Sequence, residues 1–287
     1  MTFERITVFG AGTMGAGITL VCAGAGAQVT LCDASPEAIK RAQKLLENEL
    51  KDYSELRNLS REDSQAVKTR IQFQSGLFDC AESDLIVEAI TEKLDVKQEL
   101  FSRIDAQLPL ASVIASATNT LSITTIAAKT RFPERVCGLH FFHPPTEVDL
   151  VEVIRGQRTA EDVVERCRSF IGELGKESVI VSDTPGFVVH RCTRPFFNEA
   201  LRCLSEGLAD AAAIDKILRE GGGFKAGPFE QMDQIGLDVH SSITRALWEG
   251  YAHESRFRPH LIIRRMIEAG QLGRKTGRGF FEYRDVE

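Results

Sequence analysis

The sequence predicts an α/β domain built on a mainly parallel sheet, followed by an all-helical C-terminal domain. Three observations support this fold class. Short strand-like runs alternate with helical segments in the first part of the chain, the apolar period becomes helical after Asp183, and 287 residues are enough for two domains. We therefore predict one domain at 1–182 and a second at 183–287.

The first elements form one βαβ unit. Arg5–Phe9 has strand chemistry, Thr13–Ala25 is rich in small residues and has a helical pattern, and Gln28–Cys32 has a strand pattern again. A right-handed crossover joins parallel strands of this kind. Further strand signals, with helical segments between most of them, lie at 71–73, 84–88, 112–115, 136–141, 150–154 and 178–181.

The second domain has a different pattern. Apolar residues recur at helical spacing in 187–204, 209–218 and 239–248. The glycine-rich segment 273–279 cannot form a regular helix. These segments predict an all-helical C-terminal domain.

Composition excludes several function classes. With 35 Lys and Arg against 41 Asp and Glu, the net charge of −6 offers no basic footprint for nucleic acid or an anionic membrane. No apolar stretch approaches the roughly 18 residues of a membrane span, and no basic leader precedes the first strand. The 7 cysteines include no C-x-x-C pair, so we expect buried thiols in a cytoplasmic protein and no zinc site.

Residues 10–15 match G-x-G-x-x-G directly after the first strand and at the start of the first helix. The first glycine allows a tight turn, the second lets a pyrophosphate approach the backbone, and the third permits close helix packing. The helix N-terminus supplies amide groups and positive dipole for the phosphates. This context predicts a Rossmann-type NAD-binding domain. The cofactor-binding residues predicted here are Gly10, Gly12, Thr13, Met14 and Gly15.

Asp33 ends the second strand, where a carboxylate accepts hydrogen bonds from the adenosine ribose and repels a 2′-phosphate. Ala34 and Ser35 add no cation, so we predict NAD rather than NADP. The alternative is that Asp33 serves only as an acid at the start of the helix near Pro36.

The segment 138–154 resembles the 3-hydroxyacyl-CoA dehydrogenase family, whose usual pattern is G-x-H-F-F-N-P followed by L-V-E-V. Agreement extends over nearly the whole chain, at 10–18, 87–90, 183–189, 227–230, 233–238 and 275–280. The resemblance implies NAD-dependent oxidation of a short 3-hydroxyacyl thioester, or the reverse reaction, with coenzyme A as the usual carrier. It also implies a homodimer in which the helical domain closes the substrate cleft.

The resemblance assigns catalysis to His140 and Glu152. It implies that His140 removes the proton of the 3-hydroxyl group while hydride leaves for the nicotinamide, and that Glu152 pairs with the imidazole. Physical chemistry agrees, because a neighbouring carboxylate orients an imidazole and favours its charged form. Without the resemblance, a core histidine and a solvated acid are the plainer interpretations.

The same resemblance places Glu92, Lys97 and Lys275 at cofactor and site-organising contacts. Two simpler alternatives stay open. Lys97 suits a solvated helix face, and Glu92 suits a helix cap.

Three polar positions depart from the family pattern. Asn119 stands where the family has a site serine, and His143 and His190 replace asparagines of H-F-F-N-P and G-F-V-V-N-R. Imidazoles add charge, a second donor nitrogen or metal affinity. We expect these residues to line the substrate pocket and to favour a short acyl group with an extra hydroxyl or carboxylate. The family chemistry needs no metal, and we predict none.

A fourth departure concerns the carrier. The family usually holds the nucleotide end of coenzyme A with a basic cluster, whereas residues 47–58 contain four acids against two basic residues. Two alternatives follow: Lys40, Arg41 or Lys44 binds coenzyme A, or the thioester arrives on an acyl carrier protein in precursor biosynthesis.

Two rival functions come from other classes. One is a homologue that binds a nucleotide without catalysis, which the intact His140, Glu152 and glycine loop disfavour. The other is an oxidoreductase of free hydroxy acids or sugar acids on the same fold. Turnover of a free acid but not its thioester would identify the second rival.

Overall fold

The structure is a computed structural model that describes residues 1–76 and 80–283. These residues form two compact units, Met1–Asp183 and a second that begins at Thr184. Asp183, which the sequence analysis assigned to the second domain, belongs by its contacts to the first. Its carboxylate accepts hydrogen bonds from the backbone amides of Ile123 and Thr124 at 3.0 and 2.8 Å.

The first unit is built on a sheet with strand order β3-β2-β1-β4-β5-β6-β7-β8. Its strands are β1 (Arg5–Phe9), β2 (Gln28–Asp33), β3 (Ile71–Ser75), β4 (Leu85–Glu88), β5 (Val113–Ser116), β6 (Val136–Phe141), β7 (Leu150–Arg155) and β8 (Glu177–Ser182). Neighbouring strands pair in parallel except β6 and β7, which pair antiparallel. A strand stood at every predicted position, and the mainly parallel sheet confirms the predicted fold class.

Helices connect these strands. They are α1 (Thr13–Gly24), α2 (Pro36–Leu56), α3 (Arg61–Thr69), α4 (Leu94–Asp105), α5 (Ile123–Ala127) and α6 (Glu161–Glu173). Local sequence sets the start of several helices: the Ser35 side chain accepts from the Ala38 amide at the start of α2, and Ser60 forms a capping box with Asp63. Strands β4, β5 and β6 are buried along their whole length, because helices cover both faces of a parallel sheet.

The second unit is helical. It contains α7 (Val189–Ser205), α8 (Ala211–Glu220), α9 (Pro228–Ile235), α10 (Leu237–Gly250) and α11 (Leu261–Glu268). The sequence analysis located α7, α8 and α10 but not α9 or α11, which are only 8 residues long and show little more than two turns of periodicity. The glycine-rich segment near the C-terminus contains only a short 3₁₀ turn, Arg274–Thr276.

Not all of the cysteines are buried, as the sequence analysis had predicted that they would be. Five of them are buried, but Cys192 on α7 is exposed and Cys203 is half-buried. No group of three or more His, Cys, Asp or Glu side chains within 1–76 and 80–283 is placed to hold a metal ion. No helix in the described chain is long and apolar enough to cross a bilayer.

Candidate active site

The glycine loop after β1 is closely packed on its protein side and open on the other. Gly10 has φ +107°, and a Cβ atom there would collide with the backbone of Ala89. A Cβ atom on Gly15 would collide with the carbonyl oxygen of Gly10, whereas one on Gly12 would meet nothing within 4 Å. The loop therefore requires glycine at positions 10 and 15, which pack against the protein, and it leaves open space beside Gly12.

The start of α1 is suited to an anion. Gly12 is the N-cap and has no side chain to satisfy the first amides, and the first turn contains no acidic residue. Thr13 is exposed at this end, while Met14 packs partly against the core. The amides and the positive helix dipole are thus available to a pyrophosphate.

Asp33 closes the other side of this loop. Its carboxylate oxygens accept hydrogen bonds from the backbone amides of Ala11 at 2.8 Å and Ser35 at 2.9 Å. Ser35, and not Asp33, is the N-cap of α2. Each carboxylate oxygen accepts more than one hydrogen bond, so the bonded Asp33 still has acceptor capacity for a ribose.

A cavity of about 730 Å³ adjoins the glycine loop. Gly12, Asp33 and Ala34 line one side, and Arg103 of α4 lines another. Arg103 is a cation that the sequence analysis did not associate with this site; it lies 3.8 Å from the Glu99 carboxylate. The open loop, the helix N-terminus and the acceptor Asp33 together fit NAD.

A buried ion pair lies beside the cavity. Lys97 and Glu88 have side-chain exposures of 1% and 0%, and Nζ of Lys97 lies 2.5 Å from Oε1 of Glu88. Ser116 donates to the other Glu88 oxygen at 2.6 Å. Burial raises the pKa of Glu88 above its ordinary value, and Lys97 acts in the opposite direction. The solvated-face alternative for Lys97 is therefore wrong.

Glu92 extends this cluster to the loop after β5. It lies 3.3 Å from Nζ of Lys97 and accepts the Thr118 hydroxyl at 2.6 Å and the backbone amide of Asn119 at 2.9 Å. Glu92 does not cap α4, whose N-cap is Lys93 without a side-chain hydrogen bond. The ion-pair cluster of Glu88, Lys97 and Glu92 thus holds the loop that carries Asn119.

The sequence analysis missed Glu88, Ser116 and Thr118 as site residues. One signal was available, since Glu88 ends an otherwise apolar buried strand. A charge in such a position needs a partner.

His140 and Glu152 face each other across the antiparallel pair β6 and β7, where they are register partners. Nδ1 of His140 lies 2.7 Å from Oε2 of Glu152, and the two residues are 2% and 4% exposed. The ring of Phe142 lies 5.0 Å from the imidazole. The carboxylate fixes the ring through Nδ1, which makes Nε2 the nitrogen that addresses a substrate.

The other predicted site residues, His143, His190 and Lys275, do not belong to strands β6 and β7. His143 is exposed in the loop after β6. His190 and Lys275 belong to the second unit: His190 lies in the first turn of α7 and accepts from Arg194 at 3.3 Å, and Lys275 pairs with Asp238 at 2.6 Å.

A groove of about 1170 Å³ lies along α2 and α3. Its charged lining residues are Lys40, Lys44, Lys51, Arg61, Lys68, Glu47 and Glu55. Cations of α3 join those of α2 around this one groove. The acidic count over 47–58 describes a stretch of sequence and not this surface.

Known proteins resemble the chain over its whole length. The model of the 3-hydroxyacyl-CoA dehydrogenase NAD binding domain matches residues 5–184, and that of the C-terminal domain matches 186–283. The chain is 39% identical to 3-hydroxyadipyl-CoA dehydrogenase of Escherichia coli, covering 98% of this chain and 59% of that protein. It is 38% identical to a probable 3-hydroxybutyryl-CoA dehydrogenase of Bacillus subtilis, covering 99% of both.

Solved structures agree with this similarity. The crystal structure of 3-hydroxybutyryl-CoA dehydrogenase from Escherichia coli superposes with a TM-score of 0.93 at 38% identity, covering 100% of this chain and 61% of that one. The (S)-3-hydroxybutyryl-CoA dehydrogenase from Ralstonia eutropha has a TM-score of 0.92 at 35% identity, with 99% and 100% covered. The chain thus spans about three fifths of the two Escherichia coli proteins.

Proposed function

Since the chain belongs to the 3-hydroxyacyl-CoA dehydrogenase family of NAD-dependent oxidoreductases, we propose that it interconverts a short 3-hydroxyacyl-CoA and its 3-oxoacyl-CoA. The observation that carries the proposal is the buried His140 and Glu152 pair at 2.7 Å. A buried imidazole held by a carboxylate is oriented to act as a general base toward a hydroxyl proton.

In this reaction His140 takes the proton of the 3-hydroxyl group at Nε2. Glu152, bonded to Nδ1, keeps the ring in the tautomer that presents Nε2 and stabilises the imidazolium that forms. In the reverse direction the imidazolium returns the proton to the carbonyl oxygen. Burial of both side chains strengthens their interaction, because little water competes for it.

The glycine loop, the start of α1 and Asp33 are the residues that would hold NAD. When bound, NAD accepts the hydride that leaves C3 of the substrate. The ion-pair cluster of Glu88, Lys97 and Glu92 acts as a positioning element, because it connects strand β4, helix α4 and the loop that carries Asn119.

Asp33→Ala is expected to weaken NADH binding by about tenfold or more, since hydrogen bonds to a charged acceptor contribute about 1.5–3 kcal/mol. The same change relieves repulsion of NADPH. Binding of both cofactors is measured by fluorescence titration. Asp33→Asn is the matched control, because it removes the charge with little change in size. Equal affinity of the wild type for both cofactors would show that Asp33 does not face the ribose.

Coenzyme A is the carrier we propose, with its nucleotide end in the groove of α2 and α3. The acyl carrier protein alternative finds no support, since the relatives are named for coenzyme A esters and the groove has five cations against two acids. Those names include both butyryl and adipyl esters, so the acyl group is a matter for experiment. Homodimerisation and a cytoplasmic location stay predictions.

The wild type is expected to oxidise 3-hydroxybutyryl-CoA with NAD, with kcat/KM about tenfold or more above that of the ester truncated at pantetheine. The advantage should shrink with added salt, because exposed charges are screened. The double variant Lys44→Gln/Lys51→Gln should reduce the kcat/KM advantage of the full coenzyme A ester. Lys129→Gln, at an exposed lysine outside the groove, should leave this advantage unchanged. Equal rates for the two esters at low salt would contradict the nucleotide site, and no turnover of either would contradict the function.

A further inference from the structure

Two cysteine thiols contact each other in the core of the first unit. Cys137 lies on β6 and Cys167 on α6, both residues are 0% exposed, and their sulfur atoms lie 3.3 Å apart. Neither residue lines the cofactor cavity or contributes to the His140 and Glu152 pair. The thiol pair, defined as Cys137 and Cys167, is thus not used by the proposed reaction.

The geometry of the thiol pair suits a disulfide bond. Bonded sulfur atoms are about 2.05 Å apart, so these two need to approach each other by only about 1.2 Å. Strand β6 lies between β5 and β7 in the sheet, and α6 packs against β6 and β7. Two elements held in this way keep the sulfur atoms close, and small rotations about the two Cα–Cβ bonds supply the approach.

The environment of the thiol pair makes oxidation slow while the structure is closed. The hydrogen bond with Cys167, and then burial, raise the pKa of Cys137 well above its ordinary value. A thiol reacts as its thiolate, and neither side chain is open to solvent. A small oxidant therefore reaches the pair only when α6 separates transiently from β6. The bond that forms is equally hidden from a reductant once the structure has closed.

We propose that Cys137 and Cys167 form a reversible disulfide, which cross-links α6 to β6 when the protein meets a peroxide. One thiolate sulfur attacks a peroxide oxygen, the O–O bond breaks, and a sulfenic acid and water form. The second thiol then attacks the sulfenic sulfur, so that the S–S bond forms and a second water leaves. The two sulfur atoms together lose two electrons, and hydrogen peroxide takes up these electrons and the two thiol protons.

The cross-link and the proposed catalytic base lie on opposite faces of β6. Cys137 belongs to the apolar core cluster that includes the buried face of α6. Side chains alternate along a strand, so His140, three positions after Cys137, faces the other side. The cross-linked protein should therefore keep the kcat of the reduced protein. Its free energy of unfolding should rise, because a bond between residues 30 positions apart restricts the unfolded chain.

The first experiment treats the full chain with hydrogen peroxide in urea below the unfolding transition, where local opening is more frequent. Unreacted thiols are then blocked, and peptides are mapped without reduction. We expect one joined pair of peptides that contains Cys137 and Cys167, and dithiothreitol in denaturing urea should separate it. Loss of the exposed Cys192 thiol in the same sample shows that the peroxide was effective.

The second experiment measures thermal unfolding in a Cys192→Ser background, which removes the exposed thiol. The oxidised protein should unfold about 5 °C or more above the reduced protein. Adding Cys167→Ala should abolish this shift. Adding Cys22→Ala, which removes a buried thiol of α1 outside the pair, should leave the shift intact.

Blocked, unpaired Cys137 and Cys167 in a sample whose Cys192 is oxidised overturn the proposal, as does a peptide that joins either residue to another cysteine. A cross-link that leaves the unfolding temperature unchanged contradicts the stabilising role. If the Cys167→Ala variant does not fold, the peptide map of the wild type decides. The proposed function fails or stands separately, because neither experiment requires turnover.

Discussion

His140→Gln is expected to lower kcat for 3-hydroxyacyl-CoA oxidation by about 10²–10⁴-fold, because a positioned general base contributes about that much. Glutamine is polar and of similar reach, but it cannot take a proton. NAD binding should persist, since the glycine loop and Asp33 are separate from this position. NADH formation measures turnover, and fluorescence titration measures cofactor affinity.

Two further variants serve as comparisons for His140→Gln. Glu152→Gln should also slow turnover, by less than His140→Gln, because it removes the group that orients and stabilises the imidazolium but leaves the base. His253→Gln makes the same chemical change at an exposed histidine of the second unit and should have wild-type kinetics. Near-normal turnover in His140→Gln would contradict the assignment of the base.

Lys97→Met is expected to destabilise the protein by about 3–5 kcal/mol, since removing one partner of a buried ion pair leaves the other charge uncompensated. Glu88 is 0% exposed and would keep only the Ser116 hydroxyl and a backbone amide. Chemical denaturation of the whole chain measures the change in free energy of unfolding. Lys93→Met, at an exposed lysine of the same region, should change it by less than about 0.5 kcal/mol.

The pH dependence of this loss has a defined sign. Burial raises the pKa of Glu88 in the folded protein, so the folded state holds its proton more firmly than the unfolded chain. The contribution of such a group to the free energy of unfolding decreases as the pH rises from its pKa in the unfolded chain toward its pKa in the folded protein. Without Lys97 the pKa of Glu88 in the folded protein rises further. Lys97→Met should therefore lower the free energy of unfolding more at neutral pH than near the ordinary pKa of a carboxyl group.

The double variant Glu88→Gln/Lys97→Met provides the control for this interpretation. Removing both charges should recover part of the stability, because no buried charge then lacks a partner. A single variant Lys97→Met as stable as the wild type, or a loss that does not depend on pH, would contradict the role of the ion pair.

Much of the fold was predictable because its signals are local. Each strand of the sheet is a short run that contains strand-forming residues, and a fully buried strand such as β4 is apolar along nearly its whole length. Strand direction is not a local property. The period of residues 150–155 is the same for either direction, so the antiparallel pairing of β6 and β7 appeared only in the structure.

The same distinction applies to the site. Residues 10–15 and Asp33 were identifiable because a turn, a helix start and a strand end are set by neighbouring residues. Contacts between distant residues were not: Arg194 and His240 are 46 positions apart, and the cations of α2 and α3 share one groove although a continuous stretch of α2 is acidic. Charge counts along the chain do not describe surfaces that two helices form together.

The sequence by itself determined the order of elements, the glycine loop and, through its resemblance to a known family, the pairing of His140 with Glu152. The tertiary structure alone decided which charges are buried and what compensates them. Lys97 has the sequence context of a solvated lysine, yet its Nζ lies 2.5 Å from Oε1 of Glu88 in the interior. Arg194 is also buried, and no carboxylate within residues 1–76 and 80–283 forms an ion pair with it. The reason is physical: the energy of a charge depends on the surrounding solvent and on neighbours in space, and neither is encoded by residue spacing.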